Sequence, residues 1–162
     1  MKYFFCSLIL LAGSMLAAQT IPSELIGKWV IQRELPARTI SCWSEKEAQK
    51  LIGTQIEYTA DSLSWNHIVV KHPTVEVKVF NTEQYEREYS SPSANGSQVS
   101  FRQLGITAPE VKQVTINHAP ANITTATNEI PGDVVLLKSH NAIVFSVCNV
   151  YFEANRRGAT AK

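Results

Sequence analysis

The segment Thr74 to Phe80, TVEVKVF, alternates without a break: Val75, Val77 and Val79 fall on one side, Glu76 and Lys78 on the other. A period of two suits a strand with one face in a core and the other in water. The pattern recurs along the chain. TQIEYTA (54–60) sets Ile56, Tyr58 and Ala60 against Gln55, Glu57 and Thr59. Further strands read at IGKWVIQREL (26–35), SLSWNHIVVK (62–71), SQVSFRQL (97–104), VKQVTIN (111–117), DVVLLK (133–138) and NAIVFSVCNVYFEANR (141–156). A set of short strands must hide its edges, either by closing on itself or by stacking two sheets. Eight strands are enough to close a barrel that holds side chains or one small ligand. The expected fold is therefore mainly β, an eight-stranded antiparallel barrel with one or two short helices, with a two-sheet sandwich as the alternative.

The helices carry their own signs. In SEKEAQKLIG (44–53), Ser44 and Glu47 have capping-box spacing, Ala48, Leu51 and Ile52 share a face, and Gly53 suits the terminating position. A second helix reads over 82–89, capped by Asn81, with Tyr85 and Tyr89 on one side. The polar stretch SSPSANGS (90–97) reads as a loop.

Residues 1–18 have the layout of a secretory signal peptide: Lys2, an apolar run, then small residues before Gln19. The run is short for a membrane span, and Ser14 stands where a lipoprotein box would need cysteine. Residues 19–162 then form one barrel domain, periplasmic or secreted. Removing Lys2 leaves 14 cations against 14 carboxylates. A neutral chain lacks the cationic field that nucleic acid or an anionic membrane demands. An integral outer-membrane barrel is excluded by the outward Glu76 and Lys78, and by Gln55 and Glu57, where lipid would lie. Cys6 leaves with the leader, so Cys42 and Cys148 are the candidates for a disulfide in an oxidising compartment.

Gly27-Lys28-Trp29 opening the first strand, with Arg156-Arg157 just after the last, resembles the lipocalin-like small barrels. The strings SEKEAQKLIGTQIEYTADSLSW, FRQLGI and VFSVCNVYFEANR extend that resemblance over nearly all the mature chain, toward small exported bacterial proteins of that type. The resemblance implies that Trp29 sits at the barrel base with one of Arg156 or Arg157 over it, and that Gly27 allows a close backbone approach. A guanidinium over an indole contributes roughly 0.5 to 2 kcal/mol. The family's middle Thr-Asp-Tyr signature is missing.

No nucleophile elbow, phosphate loop, zinc-protease helix or paired-cysteine metal site occurs. The four histidines, His67, His72, His118 and His140, are scattered, and no metal or cofactor is implied. The expectation is therefore binding and not catalysis. Ile56, Tyr58, Val75, Val77, Val79 and Phe101 form inward sets that either line a pocket or fill a core. The last strand is apolar on both sides, so one side should meet the interior and the other the 44–53 helix. Asn149 and Tyr151 would then be polar anchors near the interior. The partner is a small apolar or amphipathic molecule or, alternatively, an envelope or secreted enzyme bound as by an inhibitor or immunity protein.

Overall fold

The computed structural model describes residues 20–38, 44–89, 99–118 and 129–158. The signal-peptide reading of 1–18, Cys42 and the 90–97 loop lie outside the described residues. The elements run β1 (Gly27–Arg38), α1 (Glu45–Gln49), β2 (Gln55–Tyr58), β3 (Ser62–Trp65), β4 (Ile68–Lys71) and β5 (Thr74–Asn81). They continue with α2 (Thr82–Glu88), β6 (Glu110–Asn117), β7 (Val134–Ser139), β8 (Ala142–Val147) and β9 (Val150–Arg156). All nine strands form one antiparallel sheet in the order β4-β3-β2-β1-β9-β8-β7-β6-β5. A single sheet rules out the sandwich.

The sheet is curled, because one apolar cluster draws on every strand from edge to edge. Trp29, Ile56, Leu63, Val75, Val114, Val135, Phe145 and Phe152 belong to it, with Val70 of β4 packed against them. Side chains from both edges can meet in one cluster only on the concave face of a curved sheet. The edges themselves, β4 and β5, are not hydrogen-bonded to each other. The expected closed eight-stranded barrel is thus a nine-stranded open one.

Three local features account for the strand count. Residues 62–71 are two strands, folded back at Asn66-His67, where Asn66 takes a left-handed φ of 53°. Residues 141–156 are also two strands. Cys148 and Asn149 both have positive φ (53° and 62°), the signature of a two-residue type I′ hairpin. Cys148 therefore sits in a turn and not within the last strand. Of the expected strand at 97–104, the described residues 99–104 form none; residues 101–105 are a run of turns.

The convex face carries a second cluster. Phe80, Val111, Leu136, Val144 and Tyr151 of the sheet meet Tyr85 of α2 and the 99–106 segment through Val99, Phe101, Leu104 and Ile106. This corrects the expected cover for the last strand. Ala48 and Leu51 of the 44–53 helix pack in the inner cluster, while α2 and the 99–106 segment cover the outer face. β1 serves both clusters through a bulge. Ile31 is opposite Ala154 and Arg33 opposite Glu153, so β1 carries one extra residue there. Trp29 and Ile31 consequently face inward, and Leu35 and Ala37 outward.

Helix capping follows the sequence. The Glu47 carboxylate accepts from the Ser44 backbone N–H and hydroxyl, both at 2.8 Å. Asn81 Oδ1 accepts from the Gln84 N–H at 2.9 Å.

Candidate binding groove

Two places in the sheet matter for function: the seam where β1 meets β9, and the gap between β4 and β5.

At the seam Trp29 lies opposite Arg156. The indole is fully buried, and its Nε1 donates to the Leu25 carbonyl at 2.8 Å. The Arg156 guanidinium lies over it, 4.2 Å from the ring centroid to Cζ. Its two terminal nitrogens donate to the Ile26 and Glu24 carbonyls, each at 2.6 Å. Gly27 is required for that approach: its φ is +133°, and an added Cβ would stand 2.7 Å from Arg156 Nη1. Arg157 takes no part, and donates instead to Gln55 Oε1 at 3.1 Å. Arg33 meets Glu153 across the seam, and Lys138 of β7 meets the same carboxylate from the other side. Burial works to raise the Glu153 carboxyl, but Lys138 and Arg33 outweigh it and hold it below the usual range.

The expected ligand-lining residues do not form one wall. Ile56, Tyr58 and Val75 are buried in the inner cluster, and Val77 packs partly against it. Val79 is 57 % exposed. Phe101 and Tyr151 belong to the outer cluster, with the Phe101 ring 5.3 Å from that of Tyr85. Asn149 is exposed in the β8–β9 turn. The alternation that placed Asn149 and Tyr151 beside Phe145 is broken by that turn, so Phe152 takes the inward place. The concave side is packed by connecting segments as well as strands, since Ile21, Leu25, Ala48, Leu51 and Ile130 all enter it. The Tyr58 hydroxyl donates across it to the Gly132 carbonyl at 2.7 Å. Gly132 has φ +90°, and a Cβ there would be 2.2 Å from that hydroxyl. Burial, aided by the Asp133 charge, pushes the Tyr58 phenol well up, so it remains a donor.

Open space lies at the gap. β4 leads to β5 through His72-Pro73 alone, with His72 at φ 50° and its N–H donating to the Asp61 carbonyl at 2.7 Å. Such a left-handed residue costs about 1–3 kcal/mol unless its surroundings hold it. The chain turns sharply there, and an open groove of about 530 Å³ lies beside β4, the corner, the first residue of β5 and the end of β6. It is lined by Ile68, Val69, Val70, Lys71, His72, Pro73, Thr74, Asn117 and His118. Ile68 and Val70 give an apolar wall continuous with the inner cluster. The remaining end is polar. His118 Nε2 lies 3.3 Å from Asp133 Oδ2, which also accepts from the Ile130 N–H at 3.0 Å. Burial raises the Asp133 carboxyl above its ordinary value, against the bonds from Ile130 and His118. His72 Nδ1 is 3.8 Å from Asp61 Oδ2, at the surface.

His67 and His72 stand at opposite ends of β4, so they do not share a site. Among the described residues no group of three or more His, Cys, Asp or Glu could hold a metal ion. The sequence did not single out His118 with Asp133: Asp133 reads there as the first residue of the strand DVVLLK (133–138), beside a turn. No helix among the described residues is long and apolar enough to cross a membrane.

Comparison with protein-family models, with curated proteins and with solved structures finds no match.

Proposed function

We propose that the protein is an exported, non-catalytic binding module of lipocalin-like type that takes a small amphipathic molecule in the groove between β4 and β5, not inside the cylinder. The observation that carries this reading is the contrast between the packed concave face and the groove. The groove's volume falls within the roughly 300–1,000 Å³ of small-molecule sites, and it joins an apolar wall to a few polar groups. Its test is native mass spectrometry of the protein from its host, together with binding of the amphipathic dye anilinonaphthalene sulfonate. Val69→Arg places a charge in the groove from an exposed position and should abolish dye binding without unfolding the chain. A parent protein that retains no molecule and binds no dye would sink the reading.

Export brings the Cys42–Cys148 bridge into the same proposal. Arg38, the last residue of β1, is opposite Val150, two residues beyond Cys148. Four extended residues reach about 13 Å, ample for the Cα separation of about 5.5–6 Å that a disulfide needs. Intact mass after alkylation, with and without reductant, tests it.

A protein partner is the second reading, favoured by Val69 and Val79, exposed large apolar side chains on the two free edges. Pull-down from envelope extract should then recover a stoichiometric partner, and Val69→Arg should lose it.

A further inference from the structure

Among the described residues β5 is the longer of the two unpaired edges, with eight residues against four in β4. It pairs with β6 in unbroken register from Thr74↔Asn117 to Asn81↔Glu110, so no bulge distorts it. Free edges are ordinarily blunted by proline, bulges, charge or cover, because their unpaired amides and carbonyls accept another strand. β5 has no internal proline, and its charges alternate in sign. Glu76 and Lys78 lie 3.3 Å apart, both about half exposed. Open space of about 420 Å³ borders the strand at Lys78, Val79 and Phe80, beside α2.

The order of residues is the decisive feature. Read backwards, Val75-Glu76-Val77-Lys78-Val79 keeps its valines and exchanges its two charges. Two copies laid antiparallel about Val77 therefore set Glu76 against the partner's Lys78, and Lys78 against the partner's Glu76. Val75 meets the partner's Val79. Opposite residues of an antiparallel pair share a face, so the valines stay together on the concave side and the charges on the convex side. Val79, 57 % exposed in the single chain, gains a neighbour that is already buried, Val75.

We propose that the protein forms a two-fold dimer by antiparallel pairing of the free β5 edges, centred on Val77 and selected by the Glu76–Lys78 charge pattern. The occupant of this edge is a second copy because the edge is complementary to itself. The surface uses Val75 to Val79, adjacent to the groove but not among its lining residues, and it goes beyond the ligand reading without depending on it.

Sedimentation velocity of the full protein across a concentration series tests the dimer. The parent protein should dimerise. Glu76→Lys places like charges opposite each other at both crossings, as does Lys78→Glu, and each should weaken the dimer by about tenfold or more. Both positions are at the surface, and circular dichroism checks that the variants stay folded. The two variants mixed in equal amounts restore opposite charges at both crossings and should form a heterodimer. The E76K/K78E double variant should likewise recover the homodimer. A parent protein that stays monomeric at its solubility limit overturns the proposal. So do folded single variants that dimerise as well as the parent, or a mixture that fails to associate.

Discussion

The β1–β9 seam and the β4–β5 gap are the two places where this sheet meets or fails to meet itself, and they are built differently. The seam pairs residues from Trp29↔Arg156 to Arg38↔Val150, and carries a buried indole, a stacked guanidinium and the Arg33–Glu153–Lys138 contacts. The gap has a four-residue edge strand, a left-handed His72, an exposed valine on each side and a groove. Stability therefore concentrates where the chain's two ends come together, and openness lies in the middle of the sequence. In most sheets of this kind the interior would be the place to seek a ligand. Here the described side chains pack together on the concave face, and the groove lies at the β4 edge.

Trp29→Ala strikes the seam hardest. It removes a fully buried ring, its bond to Leu25 and the platform under Arg156, and should cost about 3–5 kcal/mol by urea denaturation. Arg156→Ala follows, at about 2 kcal/mol, because the Glu24 and Ile26 carbonyls lose a charged donor. Arg157→Ala is its control and should stay within about 0.5 kcal/mol. Equal losses for the two arginines would break the distinction drawn at the seam.

At the gap the expected effects are smaller. Burial raises the Asp133 carboxyl, so the folded chain holds that proton more tightly than the unfolded one. The group's contribution to stability is then greatest when it is protonated. It falls as pH rises from the ordinary carboxylate range through the raised folded value, and is level above that. The stability difference between the parent and Asp133→Asn, read from urea midpoints over a pH series, should decline across that window; a flat difference would show that burial does not govern this carboxyl. Smallest of all is Val69→Ser, expected within about 0.5 kcal/mol. A loss comparable to Arg156→Ala would mean the gap is as much a structural joint as the seam.

Much of the architecture could be read from residue order. The β character follows from segments such as TVEVKVF, and the α2 cap from Asn81. The placing of one of Arg156 or Arg157 over Trp29 is what the resemblance to lipocalin-like barrels implies, and Arg156 takes that place. What misled were turns without glycine. Asn66-His67 and Cys148-Asn149 reverse the chain with positive φ on non-glycine residues, so two hairpins read as long single strands. The β1 bulge was equally invisible, since Trp29, Ile31, Leu35 and Ala37 are all odd-numbered and look like one face. Phe101 alternates with its neighbours, yet it sits in a turn against Tyr85. The groove was hidden for another reason. Its residues come from β4, the His72-Pro73 corner and the end of β6, and only the curl of the sheet brings His118 near Lys71.

The sheet order has one more consequence. β1 takes β9 as a neighbour although more than a hundred residues separate Trp29 from Arg156, so the buried tryptophan finds its lid only after all the intervening strands have been made. Folding of this topology waits on a long loop closure. Until that moment the inner cluster lacks Phe152 and Ala154 as well as the guanidinium over Trp29.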